Sequence, residues 1–193
     1  KARRGKQRKS SVADFTLNLE SELLTLQQQL TDGSYQPGEY RLFTIYERKP
    51  RTIAAAPFRD RVLHHALLNI VEPLLDKRFI SDSYACRQGK GVHQAVDRYQ
   101  TWANRYRYAL KMDIWQYFPA IDHLLLKDTL RHRLKDKFVL ALCDQLIDTA
   151  PPVKRPPIWY AGDDLFTPGE RRTGIPIGNL TSQFLAHLYL DDF

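Results

Sequence analysis

Apolar side chains recur at helical spacing between Val12 and Leu30. Phe15, Leu19, Leu23, Leu26 and Leu30 share one face of a 3.6-residue period, which predicts one amphipathic helix. Asp32-Gly33-Ser34 ends it with turn chemistry. Tyr40 to Tyr46 and Arg51 to Ala55 read as two short strands. Glu47-Arg48-Lys49-Pro50 joins them as a basic turn, so the pair predicts a hairpin. Asp60 is placed to cap a following helix. The apolar stripe of that helix is Val62, Leu63, Ala66, Leu67, Ile70, Val71 and Leu74, with Arg61, His64 and Asn69 off it. Gly89 and Gly91 break the chain. A helix from Val92 to Tyr106 should then bury Val92, Ala95, Val96, Tyr99 and Trp102.

The period changes after that. Tyr108, Leu110, Met112 and Ile114 alternate with Ala109, Lys111 and Asp113. Alternation predicts a strand with an apolar face and a second face carrying Lys111 and Asp113. Helical spacing returns over Asp122 to Leu134 and Lys137 to Thr149. Pro151, Pro152, Pro156, Pro157 and Pro168 mark an extended, loop-rich stretch. A last helix opens near Leu180, capped by Asn179 or Thr181. No internal repeat and no long linker interrupts the order, and the fold class expected is α+β.

Charge adds a partner class. The net charge is +7, and Lys1, Arg3, Arg4, Lys6, Arg8 and Lys9 precede the first acid, so the remainder is close to balanced. A basic arm on a near-neutral body suits a polyanion such as nucleic acid, and it equally suits a solvated tail. Cys86 and Cys143 have no metal-ligand spacing and read as buried free thiols in a reducing compartment. No apolar run has membrane-spanning length, and the start lacks the apolar core of a secretion signal. Together these imply a soluble, cytoplasmic protein with no membrane partner.

Asp113 is the first candidate for chemistry. A carboxylate at the end of a rigid strand suits magnesium, which prefers hard oxygen ligands, although a lone Asp more often caps a turn. Its surroundings tip that balance. Lys111-Met112-Asp113-Ile114-Trp115-Gln116-Tyr117-Phe118 resembles the first palm motif of reverse transcriptases. The resemblance implies that Asp113 is catalytic and a metal ligand, with the Ile114 main-chain carbonyl as a second ligand. Two Mg2+ ions would serve the complete enzyme. Phe118 would lie under the sugar of the incoming deoxynucleotide and exclude a 2′-hydroxyl. Gln116 and Tyr117 join the nucleotide-binding set by position, although ring packing is the plainer role for Tyr117 and Trp115.

Gly174-Ile175-Pro176-Ile177-Gly178-Asn179-Leu180-Thr181-Ser182-Gln183 resembles the motif that positions template and incoming base in the same family. Ile177 and Gly178 would meet the nucleotide and Gln183 the template. The family pattern has Gln before that glycine and Pro after the serine. Ile177 and Gln183 depart from it, as in the error-prone reverse transcriptases of diversity-generating retroelements. In the basic turn, Arg51 matches the triphosphate-binding Arg and Lys49 its Lys partner. Asp60 and Arg61 would orient the hairpin. Asp82 to Gly91 also matches, with Arg87 and Lys90 at the template backbone.

The resemblance implies a right-hand polymerase of reverse transcriptase type. Residues 1–35 would be the arm and first helix, and 36–107 the fingers. A palm strand would fill 108–123, a helical and Pro-rich return 124–173, and a palm helix 174–193. Partners would be template RNA, a primer strand, deoxynucleotides and a small basic accessory protein, in a bacterial or phage-encoded setting. Group II intron, retron and phage-defence enzymes are alternatives, as is a non-catalytic RNA-binding protein of the same fold. Tyr189-Leu190-Asp191-Asp192 spells the polymerase Tyr-x-Asp-Asp signature, but Leu180, Phe184 and Leu188 carry a helical stripe right up to it. It therefore reads as a decoy at a helix end. The true Asp pair, primer grip and thumb are then expected outside these 193 residues, which alone should not polymerise.

Overall fold

A computed structural model describes residues 2–47, 49–152 and 156–191. In chain order the elements are α1 (Ser10–Leu17), α2 (Leu19–Asp32), β1 (Arg41–Tyr46), β2 (Pro50–Ala55), α3 (Phe58–Asp76), α4 (Val92–Arg105), α5 (Tyr117–Ala120), α6 (His123–Arg133), α7 (Lys137–Asp148), α8 (Thr167–Glu170) and α9 (Leu180–Tyr189). Among the described residues β1 and β2 form the one sheet, an antiparallel pair with Arg41 opposite Ala55 and Tyr46 opposite Pro50. Helices plus one small sheet agree with the α+β expectation. No described helix is long and apolar enough to cross a membrane.

Two apolar cores hold the body. The larger takes Leu67, Val71 and Leu75 from α3, Leu126 and Leu130 from α6, Leu146 and Ile147 from α7, and Leu185 and Leu188 from α9. The smaller joins Val12, Phe15, Leu26, Tyr35, Phe58 and Leu63, with the Phe15 and Phe58 rings edge-to-face at 5.3 Å. Asp122 and Asp136 cap α6 and α7, each accepting two main-chain N–H bonds of the first turn. Gly33, at φ 74°, closes α2 in the left-handed conformation that ends many helices.

Several local expectations change. The first helix is two, because the chain breaks at Asn18, whose side chain donates back to the Asp14 carbonyl at 3.2 Å. Asp60 does not cap α3. It lies buried in the first turn and accepts 2.8 Å bonds from the Tyr35 hydroxyl and the Gly38 N–H, so Pro57 takes the cap position. The buried face of α3 is turned from the predicted stripe. Ile70 and Leu74 are exposed while His64, Leu68 and Leu75 are inside, because α1 covers one end of the helix and α9 packs along it. Cys143 is buried as expected, but Cys86 is exposed.

The largest departure concerns residues 92–114. No residue of α4 is buried, so the face expected to bury Val92, Val96, Tyr99 and Trp102 lies open. The segment from Tyr108 to Ile114 is not a strand, and Tyr108, Leu110 and Met112 are 83%, 82% and 81% exposed. A strand exists only where a neighbour pairs its N–H and C=O groups. Among the described residues nothing pairs with this one, so the alternation has no sheet to act on.

His64 gives this fold a pH dependence. It is 2% exposed and neither ring nitrogen has a hydrogen-bond partner. Burial pushes its pKa down to about 4, the Asp60 carboxylate opposes that, and His65 and Arg61 add to it. The folded state therefore holds His64 neutral while the unfolded chain takes a proton below about 6.5. Stability should be full above that pH and fall as pH drops towards 4, by up to roughly 3 kcal/mol. Urea midpoints across this range will show the slope, and His64→Leu should flatten it. An unchanged slope in that variant would assign the effect to other groups.

Candidate nucleic-acid interface

Residues 172–179 form a rail between the hairpin and the segment that follows Asp113. On the hairpin side, the Ala54 N–H donates to the Ile177 carbonyl at 2.9 Å. The Asn179 side chain reaches the end of β2 and the residue after it. Its Nδ2 donates to the Ala54 carbonyl at 2.8 Å and its Oδ1 accepts from the Ala56 N–H at 3.2 Å. On the other side, the Ile175 N–H donates to the Phe118 carbonyl at 3.1 Å and the Gly174 N–H to the Ile121 carbonyl at 2.8 Å. The His123 N–H donates to the Arg172 carbonyl at 3.0 Å, and Asp122 bridges Thr173. Two segments far apart in sequence are thus bonded into one block with the hairpin.

Gly178 explains how close this block is. At φ 111° it adopts a backbone that side chains rarely take, and a Cβ there would stand 2.6 Å from Ile53 Cγ2. The close approach seen at this glycine is made to the hairpin. Ile177 is half-buried beside it. Asn179 is 3% exposed and makes no side-chain cap to α9, because its amide is spent on β2.

The other predicted residues separate into groups. Lys49 and Arg51 are exposed at the end of the hairpin, with Arg51 opposite Ile45. Asp113 and Ile114 are exposed on the unpaired segment. Gln116 ends that segment in the left-handed conformation at φ 50°, unusual for a residue with a side chain, and opens α5. Tyr117 donates its hydroxyl to the Ala186 carbonyl, and burial raises its pKa to about 12. Phe118 is half-buried against the larger core. These two rings pack α5 down and leave Asp113 outside.

Arg87 and Lys90 are held within their own loop. The Arg87 side chain is 9% exposed and grips the end of α3, with Nε 2.6 Å from Asp76 Oδ1 and Nη2 donating to the Asp76 carbonyl at 2.9 Å. Its Nη1 serves the Ile80 and Ser83 carbonyls. Arg87 is therefore a loop clasp in this arrangement, and a template contact would require it to release those partners. Lys90 donates to the Ser81 carbonyl at 2.5 Å and stands over the Tyr84 ring. Gln183 is exposed on α9. One link had no sequence signal: His187 of α9 stacks on Phe79 at 4.5 Å and hydrogen-bonds Ser83, tying that loop to α9.

Asp191 stands at the end of α9 as a structural carboxylate. Its N–H donates to the Leu188 carbonyl at 3.1 Å, and its carboxylate pairs with Arg133 of α6 at 3.2 Å with only 4% of its side chain exposed. That geometry agrees with the decoy reading; Asp192, like Arg48, lies outside the described residues. Asp113 and the Ile114 carbonyl are hard oxygens that suit magnesium. Among the described residues, however, no three His, Cys, Asp or Glu side chains gather as a metal set. A magnesium site is not assembled by the described residues alone.

No protein-family model matches the chain. Among curated proteins it is 27% identical to protein YkfC of Escherichia coli over 179 residues, covering 89% of the chain and 44% of that protein. It is 23% identical to the group II intron-encoded protein LtrA of Lactococcus lactis subsp. cremoris over 176 residues, 90% of the chain and 28% of LtrA. Nuclear intron maturase 1, mitochondrial, of Arabidopsis thaliana is 31% identical over 87 residues, 45% of the chain and 12% of that protein. The chain thus spans less than half the length of each of these relatives. The similarities are to an intron-encoded protein, an intron maturase and YkfC, each over part of that protein's length.

The rail makes a testable claim about Gly178. Gly178→Ala should lower stability by about 2 kcal/mol or more, from left-handed strain plus the clash with Ile53. Thermal unfolding will measure it. In the Ile53→Ala background the same change should cost less, and an equal cost would mean that Ile53 is not the constraint.

Proposed function

We propose that this chain is the fingers and part of the palm of an RNA-directed DNA polymerase of the group II intron type. The observation that carries the reading is the rail, which joins the glycine-led segment at once to the cationic hairpin and to α5 and the residues after it, which follow Asp113 in the chain. A polymerase needs those three parts side by side to hold triphosphate, nascent base pair and reacting centre. The similarity to an intron-encoded protein and an intron maturase supports the RNA side of it.

In this reading Lys49 and Arg51 bind the triphosphate, Arg51 by paired hydrogen bonds to phosphate oxygens. Ile177, Gly178, Gln116 and Tyr117 lie near the incoming nucleotide, and Phe118 limits space on the 2′ side of its sugar. Lys90 and Gln183 meet the template, with Arg87 positioning the loop that carries Lys90. Asp113 and the Ile114 carbonyl supply hard oxygens to the Mg2+ ions of the complete centre. A primer strand completes the partners, and the bacterial cytoplasm is the place of action.

A diversity-generating retroelement enzyme is the second reading, favoured by Ile177 and Gln183 where the family pattern has Gln and Pro. That reading adds a basic accessory protein.

Primer extension by the full-length protein decides the main claim. Asp113→Asn should reduce DNA synthesis on an RNA template by at least about a hundredfold, as loss of a metal-site group does. RNA affinity should stay within about twofold, since Asp113 offers no positive charge to phosphate. Unchanged synthesis would end the catalytic assignment.

A further inference from the structure

The open face of α4 carries a ladder of rings and guanidinium groups. Arg98, Trp102 and Tyr106 are spaced by four and so lie along one line of the helix and its cap. The Trp102 and Tyr106 rings stack nearly parallel, 5.3 Å apart with 19° between planes. The Arg98 guanidinium sits 4.8 Å from the Trp102 ring centre and the Arg105 guanidinium 5.6 Å from that of Tyr106. Arg107 then stands over Tyr108 at 5.7 Å. Trp102 is 38% and Tyr106 52% exposed, so ring surface faces outward.

Two further observations select the partner. Between positions 90 and 111 stand Lys90, Arg98, Arg105, Arg107 and Lys111 against the single acid Asp97, so the patch is cationic. Among the described residues no carboxylate pairs with Arg105 or Arg107, while Asp82 holds Arg98 over Trp102 through bonds of 2.8 and 3.0 Å. One end of the ladder is therefore set before any partner arrives. Aromatic faces alternating with cations match a strand that alternates bases with phosphates. A duplex keeps its bases stacked inside and offers the rings nothing.

We infer that α4 and the residues after it form a stacking platform for single-stranded RNA, with bases on Trp102 and Tyr106 and phosphates on Arg105 and Arg107. The platform is separate from the hairpin and rail, and only the choice of RNA rests on the polymerase reading above. Because no α4 residue is buried, ring substitutions leave both cores intact.

The test is the fluorescence anisotropy of a labelled short oligouridine titrated with the 193-residue chain. Trp102→Ala with Tyr106→Ala should weaken binding about tenfold or more, and Trp102→Phe should keep it within about twofold, because a ring suffices. Arg105→Ala and Arg107→Ala should each lower the slope of log affinity against log salt by about 0.7. A second readout does not rely on those variants. With Trp115→Phe and Trp159→Phe in place, Trp102 is the remaining indole of three, and oligouridine should quench it. Four results would overturn the proposal. They are no oligouridine binding, unchanged affinity in the double ring variant, equal binding of inorganic polyphosphate, and a self-associated chain that the ring variant dissociates while oligouridine affinity holds. Unchanged affinity alongside intact DNA synthesis would sink the platform and leave the polymerase reading standing. A tenfold loss alongside synthesis that ignores Asp113→Asn would do the reverse.

Discussion

The side-chain amide of Asn179 is the contact on which the candidate site depends. It donates to one main-chain carbonyl of the hairpin and accepts from a main-chain N–H two residues on. All of these groups are buried, and leaving buried polar groups without partners costs about 1–3 kcal/mol each. The bonds therefore fix both the distance and the angle of β2 against the start of α9. Gly178 sets the distance from the other side, since a side chain at that position would push Ile53 away. From this joint the rail runs back through Ile175 and Gly174 to Phe118 and Ile121. The cationic hairpin, the glycine-led turn and the segment after Asp113 are held by one short piece of main chain, so a shift in any of them would be felt by the other two.

Local rules identified much of this fold because several of its helices bury an apolar stripe and carry their own start and stop signals. The α6 and α7 helices are bounded by Asp122 and Asp136, whose carboxylates cap them. The hairpin formed where two apolar runs flank a turn. What periodicity could not contain is which neighbour an element meets. The stripe on α3 is rotated because two cores share the helix, and a single-face count cannot anticipate two. Asn179 was readable as a helix cap, and the backbone there is extended as a cap should be, but its side chain serves the hairpin more than a hundred positions away in sequence. Gly178 was readable as a nucleotide contact, and only the fold brings Ile53 against it. Arg87 looked like a surface cation, and only the fold brings Asp76 and three further carbonyls around it.

Residues 92–114 carry the strongest periodic signals in the chain and the least burial. Both facts follow from one cause. Alternation at Tyr108 to Ile114 and the ring-bearing stripe on α4 are apolar faces that no other described residue covers. Burial of an apolar side chain contributes about 1.5–3 kcal/mol only if a surface is there to receive it. The described residues offer none, so the body settles on its two cores and leaves this region outside. The arginines then take the place of a covering layer, lying over Trp102, Tyr106 and Tyr108.

Backbone strain points to the same division between a fixed body and a presented segment. Among the described residues only two without a glycine's freedom have positive φ, Gln116 and Cys86. Each conformation costs about 1–2 kcal/mol unless its surroundings hold it. Cys86 stands beside the Arg87 clasp. Gln116 stands immediately before α5, where Tyr117 is bonded to Ala186 and Phe118 to Ile175. Those bonds hold α5 against the larger core, so the turn at Gln116 must carry the chain from the core to the open segment. Relaxing that turn would swing Asp113 and Ile114 relative to the rail. The strain therefore sits at the joint that aims the candidate carboxylate, and α5 is the element that holds it there.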